Sequence, residues 1–475
     1  MNRTVSFIAV AGALAVLALL AAPRPQRTQP AQQEPQAQQQ QAGAPVTAVA
    51  LPAEAQGSSS ARGLTLSGKL ASAFVANGGA PNYLTLEVAA APQEEKGPRM
   101  PANLVVVIDR SCSMAGQKMT DAVGAARTLV DTLHPEDRLA IVDYGSDVST
   151  FPSTLADAAG KERLHAYLRD LDVDGSTNIG GGLQAGALAA REHQARYSNN
   201  RLVLLSDGQP TVGITDPDGL ARIVSRIREG GLTVTSLGVG RDFDERLMAR
   251  LAEAGGGFYG DIGDSARLAE VFARELDQAS RMVARDLELR LLVPANVRVE
   301  EVLGRDFRPD GAGARLRLYD LSSGLSNRLV VRFSVNEAAG AALRGPVHAL
   351  LTWTDLKTAE RVSAQVSMTA TVTDDAQKAL ANADADVLAH AANAEAARQV
   401  RYAADLARQG KRDEADRHLS DSMLNLRRLF GASAESLAGA SIEDSRKSLR
   451  GGDMNRAAKD MERKSIQSFG QSNAY

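Results

Sequence analysis

Apolar residues along the chain fall into distinct kinds of run. Between Pro101 and Arg285, four short stretches (NLVVVID, DRLAIVDYG, RLVLLSDG and LTVTSLGVG) each end on Asp or Gly. Continuous rather than alternating apolarity marks strands buried on both faces, as in a parallel sheet. Between them lie stretches of helical period: MTDAVGAARTLVDTL, which stops before Pro135, then Leu220 to Glu229 and Glu245 to Ala254. This alternation predicts an α/β fold, a doubly wound and mostly parallel sheet over 101–285. Ligands of such sheets bind at the carboxyl ends of the strands, and Asp109 and Asp207 close two of those strands.

Outside that region a period of two takes over. LTLSGKL and YLTLEVAA predict a short β segment within 63–100. From 286 to 373, DLELRLLV, VRVEEVLG, ARLRLYDL, NRLVVRFSV, HALLTWTDL and SAQVSMTATV are separated by Gly, Pro, Asn or Ser. Short strands at such spacing predict a β-sandwich-like domain. From 374 to 475 the composition turns to Ala, Arg, Asp and Glu, a helical tail whose first hairpin turns at Gln409, Gly410 and Lys411. GVGRDFDE and AGGGFYG read as strand-end turns, and Asp242, Asp244 and Glu245 as a solvated acidic face.

The beginning of the chain has a different character. Arg3 precedes an Ala/Leu-rich stretch from Val5 to Ala22, followed by Pro23, Arg24 and Arg27. This pattern predicts a signal peptide or membrane anchor over 1–22, and hence an exported protein of the cell envelope or periplasm, anchored or secreted. No cysteine lies nearby to carry a lipid. Residues 23–62, with QAQQQQAG at their centre, predict a disordered Pro/Gln/Ala tether, because such a tract buries too little apolar surface to offset the entropy of ordering.

Composition narrows the function further. With 54 basic and 57 acidic residues the formal net charge is -3, and no Lys/Arg run has interleaved aromatics, so no nucleic acid partner is expected. The single Cys112 forbids an internal disulfide. Motifs for a zinc protease, a nucleophile elbow or a phosphate loop are absent from the sequence.

The candidate chemistry lies in five oxygen-bearing side chains. Asp109, Ser111 and Ser113 share one turn after NLVVVID; Thr177 sits in the Gly-rich stretch DGSTNIGGGL; Asp207 follows in LLSDGQPTVG. Hard oxygen donors suit Mg²⁺, Mn²⁺ or Ca²⁺ rather than zinc. Taken singly, Asp109 and Asp207 read as Asx turns or helix caps, and Thr177 as a cap on the helix after it. The case for a metal site rests on all five in order, each at a strand end or helix entry.

The Asp-x-Ser-x-Ser turn, the later Thr and the later Asp-Gly resemble the metal-ion-dependent adhesion site of the von Willebrand factor A domain. The order of strands and helices over 101–285 is similar too. With the tether, the β region and the helical tail, the chain resembles bacterial A-domain proteins labelled calcium-activated chloride channel-like, a label that implies no channel here. The resemblance implies a Rossmann-like fold in which Ser111, Ser113 and Thr177 contact the cation directly and Asp109 and Asp207 act partly through water. It also implies that an acidic side chain of a protein partner completes the coordination, and that the chain is an adhesion or assembly scaffold rather than an enzyme. A metal-dependent hydrolase and a structural A domain with an empty site are the alternatives. One departure is Cys112, where the family commonly has Gly; it predicts a backbone cost and adds a thiol ill-suited to Mg²⁺.

The N-terminal reading makes a first prediction. The protein fractionates with membranes through Val5 to Ala22, and deletion of residues 1–24 releases it. Intact protein recovered free in the cytosol would overturn the export expectation.

Overall fold

The computed structural model describes residues 55–92, 100–240, 243–262, 281–337, 343 and 345–469. The apolar segment 1–22 and the tether as far as residue 54 lie outside the described residues. Strands β1 (Gln56–Ala61), β2 (Leu64–Leu70), β3 (Phe74–Ala76) and β4 (Asn82–Ala90) come first. The next region runs β5 (Ala102–Asp109), α1 (Gln117–Thr132), β6 (Arg138–Tyr144), β7 (Val148–Leu155), α2 (Ala158–Arg169), α3 (Ile179–Gln194) and β8 (Asn199–Ser206). It closes with α4 (Pro217–Glu229), β9 (Thr233–Val239), α5 (Glu245–Gly255) and β10 (Gly256–Ile262). Strands β11 (Met282–Leu292), β12 (Val297–Val302), β13 (Arg308–Asp310), β14 (Gly313–Arg317) and β15 (Leu321–Ser322) follow. Then come β16 (Ser326–Val335), β17 (Val347–Asp355), β18 (Arg361–Met368) and β19 (Thr371–Thr373). Helices α6 (Ala376–Ala381), α7 (Ala385–Arg408), α8 (Arg412–Arg450) and α9 (Met454–Ser468) end the described chain.

The α/β region forms one sheet in the order β10-β9-β8-β5-β6-β7, parallel throughout except for the antiparallel edge pair β6–β7. Every residue of β5 and of β8 is buried, as their unbroken apolar runs require, with helices covering both faces. Two elements of this region carried no clear signal in sequence. Strand β7 (VSTFPSTL) is half exposed and holds Pro152, which is tolerated at a sheet edge. Strand β10 arises from the stretch read as a turn; Gly256 enters it with φ +70 and pairs with Val234 of β9, and after a register shift the pairing resumes at Tyr259.

The β segments before and after this region are one sandwich. One sheet runs β1-β2-β4-β16-β12 and the other β13-β14-β11-β17-β18, so the first sheet takes strands from both sides of the α/β region. Leu66, Leu86 and Val88 of the first sheet share a core with Leu289, Leu351 and Trp353 of the second. The α/β region is therefore an insertion between β4 and β11. The 63–100 segment, read from sequence as separate, belongs to this sandwich, and the tether read to residue 62 ends earlier. QGSSSA lacks an apolar run, yet as edge strand β1 it needs only backbone pairing to β2, from Gln56↔Lys69 to Ala61↔Leu64.

A buried ion pair joins the two layers. Arg228, at the end of α4, donates from Nη2 to Leu318 O at 2.8 Å and to Asp320 Oδ1 at 3.2 Å. Asp320 also accepts from Thr233 Oγ1 at 2.8 Å and Asp286 N at 3.0 Å. The guanidinium lies over Gly256, where a Cβ would come within 2.5 Å of Arg228 Cζ.

The helical tail braces both layers. Helices α7 and α8 meet at Gln409–Lys411, where sequence placed the turn, and α8 kinks at Gly431, whose φ of 78 and ψ of 174 are not helical. The helices cover the outer face of the first sandwich sheet through Tyr83 and Val330. Glu462 of α9, buried, accepts from Arg246 of α5 at 2.9 Å and pairs with Arg401 and Arg408 of α7 at 3.2 and 3.3 Å. Among the described residues no helix is long and apolar enough to cross a membrane.

Asp320→Ala tests the joint between α/β region and sandwich. Side chains of the pair are only 3% and 5% exposed. Removing the carboxylate strands a buried guanidinium, and denaturant unfolding is expected to show a loss of about 3–5 kcal/mol. A loss below about 1 kcal/mol would mean that water reaches Arg228 and replaces the pair.

Candidate metal centre

The parallel register brings the two predicted carboxylates to one sheet edge. Asp109 is the Cα partner of Tyr144 on β6, and Ile108 is the partner of Leu205 on β8, so Ser206 and Asp207 stand level with Asp109 at the same sheet edge. Three loops leave that edge: 110–116 after β5, 170–178 before α3, and 207–216 after β8. Backbone bonds stitch them together. Cys112 N donates to Gly175 O at 3.0 Å, Asp174 N to Arg110 O at 2.8 Å, and Thr211 N to Thr177 O at 3.0 Å. Glycine is required at the closest approach: a Cβ on Gly145 would come within 2.2 Å of Asp174 O.

Four of the five oxygen donors are buried, namely Asp109, Ser111, Thr177 and Asp207, and Ser113 is exposed. Ser111 Oγ and Ser113 Oγ are 3.1 Å apart. Asp109 Oδ1 accepts from Ser111 N at 3.0 Å, an Asx-type turn, so the bland reading of this residue holds in part. Its Oδ2 is claimed by two residues not singled out from sequence: Ser206 Oγ at 2.6 Å and Tyr144 OH at 3.1 Å. The polar residue closing LLSD and the hydroxyl closing IVDY were the available signals. Thr177 does not cap α3; Asn178 does, accepting from Gly181 N at 3.0 Å.

Charge is tightly arranged. Burial pushes the Asp109 carboxyl above its ordinary range and the Asp207 charge adds to that, against the bonds from Ser111 and Ser206. Burial likewise holds the Tyr144 hydroxyl far above its usual range, with the Asp109 charge reinforcing it. Asp207 Oδ2 pairs with Lys118 Nζ at 3.2 Å, whereas its Oδ1 is buried without a hydrogen-bond partner. A buried, unanswered carboxylate oxygen is costly unless a cation or donor faces it.

Two expectations are corrected. Cys112 is exposed and is not among the residues of positive φ, so it costs the turn nothing. Cys112 opens a 3₁₀ turn, Cys112–Met114, flanked by Ser111 and Ala115 at φ -60 and -57. Glu245 is buried, not solvated: it opens α5 under the tail, near Lys459 and Arg408, and burial raises its carboxyl. Asp244 is exposed and caps the same helix, accepting from Leu247 N at 3.1 Å; Asp242 lies outside the described residues.

The donor set fits a hard cation. Among the described residues no group of three or more His, Cys, Asp or Glu is placed to hold a metal. A cation here would rest on two carboxylates and three hydroxyls, with the orphaned Asp207 Oδ1 among them.

A family model, the von Willebrand factor type A domain, matches residues 103–274. The chain carries a von Willebrand factor type A domain. Protein YfbK of Escherichia coli (strain K12) is 32% identical over 209 residues, 43% of this chain and 36% of that protein. Inter-alpha-trypsin inhibitor heavy chain H1 of Sus scrofa is 30% identical over 195 residues, 40% of this chain and 22% of that one. The similarity thus spans about a third of the first relative's length and about a fifth of the second's. A von Willebrand factor type A protein from Catenulispora acidiphila has the same fold with a TM-score of 0.62 at 21% identity, over 81% of this chain and 89% of that one. The ArnB paralog VWA2 from Sulfolobus acidocaldarius follows at 0.52 and 17% identity, over 86% and 100%. Coverage of that extent includes far more than the A domain.

Ser206→Ala removes the shortest donor to Asp109 and the acceptor of Gly208 N at 2.9 Å. It is expected to cost about 1–3 kcal/mol, because it leaves a buried carboxylate under-bonded. Chemical unfolding in chelator measures it, and an unchanged midpoint would refute the role given to Ser206.

Proposed function

We propose that the A domain binds one divalent cation, Mg²⁺ or else Mn²⁺ or Ca²⁺, through Asp109, Ser111, Ser113, Thr177 and Asp207, and uses it to hold an acidic side chain of a protein partner. The observation that carries this reading is the buried Asp207 Oδ1 without a hydrogen-bond partner, at the same sheet edge as Asp109 and the Ser111–Ser113 turn. A bound cation would supply a positive centre for an incoming carboxylate. The hydroxyls of Ser111, Ser113 and Thr177 are neutral, so they leave part of that charge uncompensated, and the exposed Ser113 marks the side from which a partner can approach.

A binding role suits these residues better than catalysis. Asp109 already accepts three hydrogen bonds, and the open Oδ1 of Asp207 belongs to a carboxylate paired with Lys118, an arrangement that suits a cation better than proton abstraction. We extend the reading to the cell envelope on the strength of the N-terminal apolar segment, which makes the chain an adhesion or assembly scaffold on a tether.

Calorimetry on the full-length protein tests the cation. Wild type is expected to bind Mg²⁺ or Mn²⁺ at one site and an Asp109→Ala/Ser111→Ala double variant not to bind; equal heats would sink the proposal. For the partner, Thr177→Ala and chelation are each expected to abolish capture from envelope extract while leaving the melt unchanged apart from the cation's own stabilisation. Capture that survives both treatments would assign binding to the sandwich or the helical tail.

A further inference from the structure

Lys118 reaches the cation site by a route built for it. Its Nζ stands 3.2 Å from Asp207 Oδ2, and the two side chains are 18% and 2% exposed. The stem passes over Gly240: a Cβ there would lie 2.7 Å from Lys118 Cε and 3.1 Å from its Cγ, and the residue has φ +85. A side chain at 240 would crowd the lysine stem and be strained at that φ. Lys118 is also the second residue of α1, which begins at Gln117. A cation in the first turn of a helix faces the positive end of the macrodipole and is unfavourable there. The placement makes physical sense through the carboxylate it meets.

Resting on the reading of the five oxygens as a divalent-cation site, we propose that Lys118 is a built-in ammonium competitor and placeholder in that site. Before a cation arrives, Lys118 answers one oxygen of Asp207 and keeps the carboxylate aimed at the sheet edge. Once a cation is bound, the ammonium repels it and lowers its affinity. The two carboxylates, Asp109 and Asp207, carry two negative charges, and Lys118 returns one positive charge. A divalent ion added to that set leaves the site with a net positive charge, which an acid of the partner neutralises. Lys118 thereby makes cation and partner acid bind best together, and makes the cation alone bind only moderately.

The test compares wild type, Lys118→Met and Lys118→Arg as full-length proteins, with Mn²⁺ titrated alone and melts run in chelator. Lys118→Met is expected to bind Mn²⁺ about tenfold more tightly than wild type, because a neighbouring like charge has gone. Lys118→Arg, which keeps the charge, is expected to stay within about twofold. In chelator, Lys118→Met is expected to melt below wild type, because Asp207 loses the charged partner that it has there. Should the methionine variant not fold, Lys118→Gln, which keeps a donor without the charge, is read in its place with the same expectation. Unchanged or weaker Mn²⁺ binding in the uncharged variant would overturn the competitor role, and an unchanged melt the placeholder role. If wild type binds Mn²⁺ no better than the Asp109→Ala/Ser111→Ala variant, the cation reading itself has failed, and this proposal falls with it.

Discussion

A carboxylate with no exposed surface organises the working edge of this protein. Asp109 is fully buried, and an unanswered charge there would be expensive. Its donors come from three places: its own turn, the end of β6 and the end of β8. They converge because the three strands are parallel and in register, so that Tyr144 and Ser206 end level with Asp109. A slip of one residue between β5 and β8 would turn Ser206 to the opposite face and leave the carboxylate bare. Sheet register and site geometry are thus one constraint.

The same edge is braced from behind by elements far away in sequence. Asp244 N donates to Asp207 O at 3.0 Å, which ties the α5 entrance to the β8 loop. Helix α5 is held in turn by the tail, through Arg246 on Glu462 and through Lys459 Nζ, which donates to Phe243 O at 3.4 Å. On the other side, Arg228 and Asp320 fasten α4 and β9 to the sandwich. The A domain is therefore gripped at two points by the frame into which it is inserted.

The site shows an imbalance that the frame does not remove. Asp109 is saturated with donors, whereas Asp207 has one oxygen on Lys118 and the other on nothing. Rigid backbone stitching between the 110–116, 170–178 and 207–216 loops means that the site cannot relax cheaply to close that gap. That unsatisfied carboxylate oxygen is what the cation proposed above would answer.

Local pattern was enough for the elements whose surroundings are uniform. NLVVVID and RLVLLSDG had to be strands buried on both faces, and the Asp-x-Ser-x-Ser turn, Thr177 and Asp207 follow directly from where those strands and the helix entry fall. The tail hairpin, with its turn at Gln409–Lys411, was legible for the same reason. What escaped depends on partners distant in the chain. QGSSSA is a strand only because β2 lies beside it, AGGGFYG only because β9 does, and β4 joins β16 across the whole inserted domain. Glu245 reads as a surface acid until the tail is laid over it, and Ser206, Tyr144 and Lys118 become part of the site only when three strand ends and a helix start meet. The sequence by itself determined the strongly periodic strands and helices and which oxygens lie at their ends, because those follow from period and neighbouring residues. The tertiary structure decided which strands pair and which charges face each other, because hydrogen bonding between strands and Coulomb interaction depend on distance in space and leave no periodic trace along the chain.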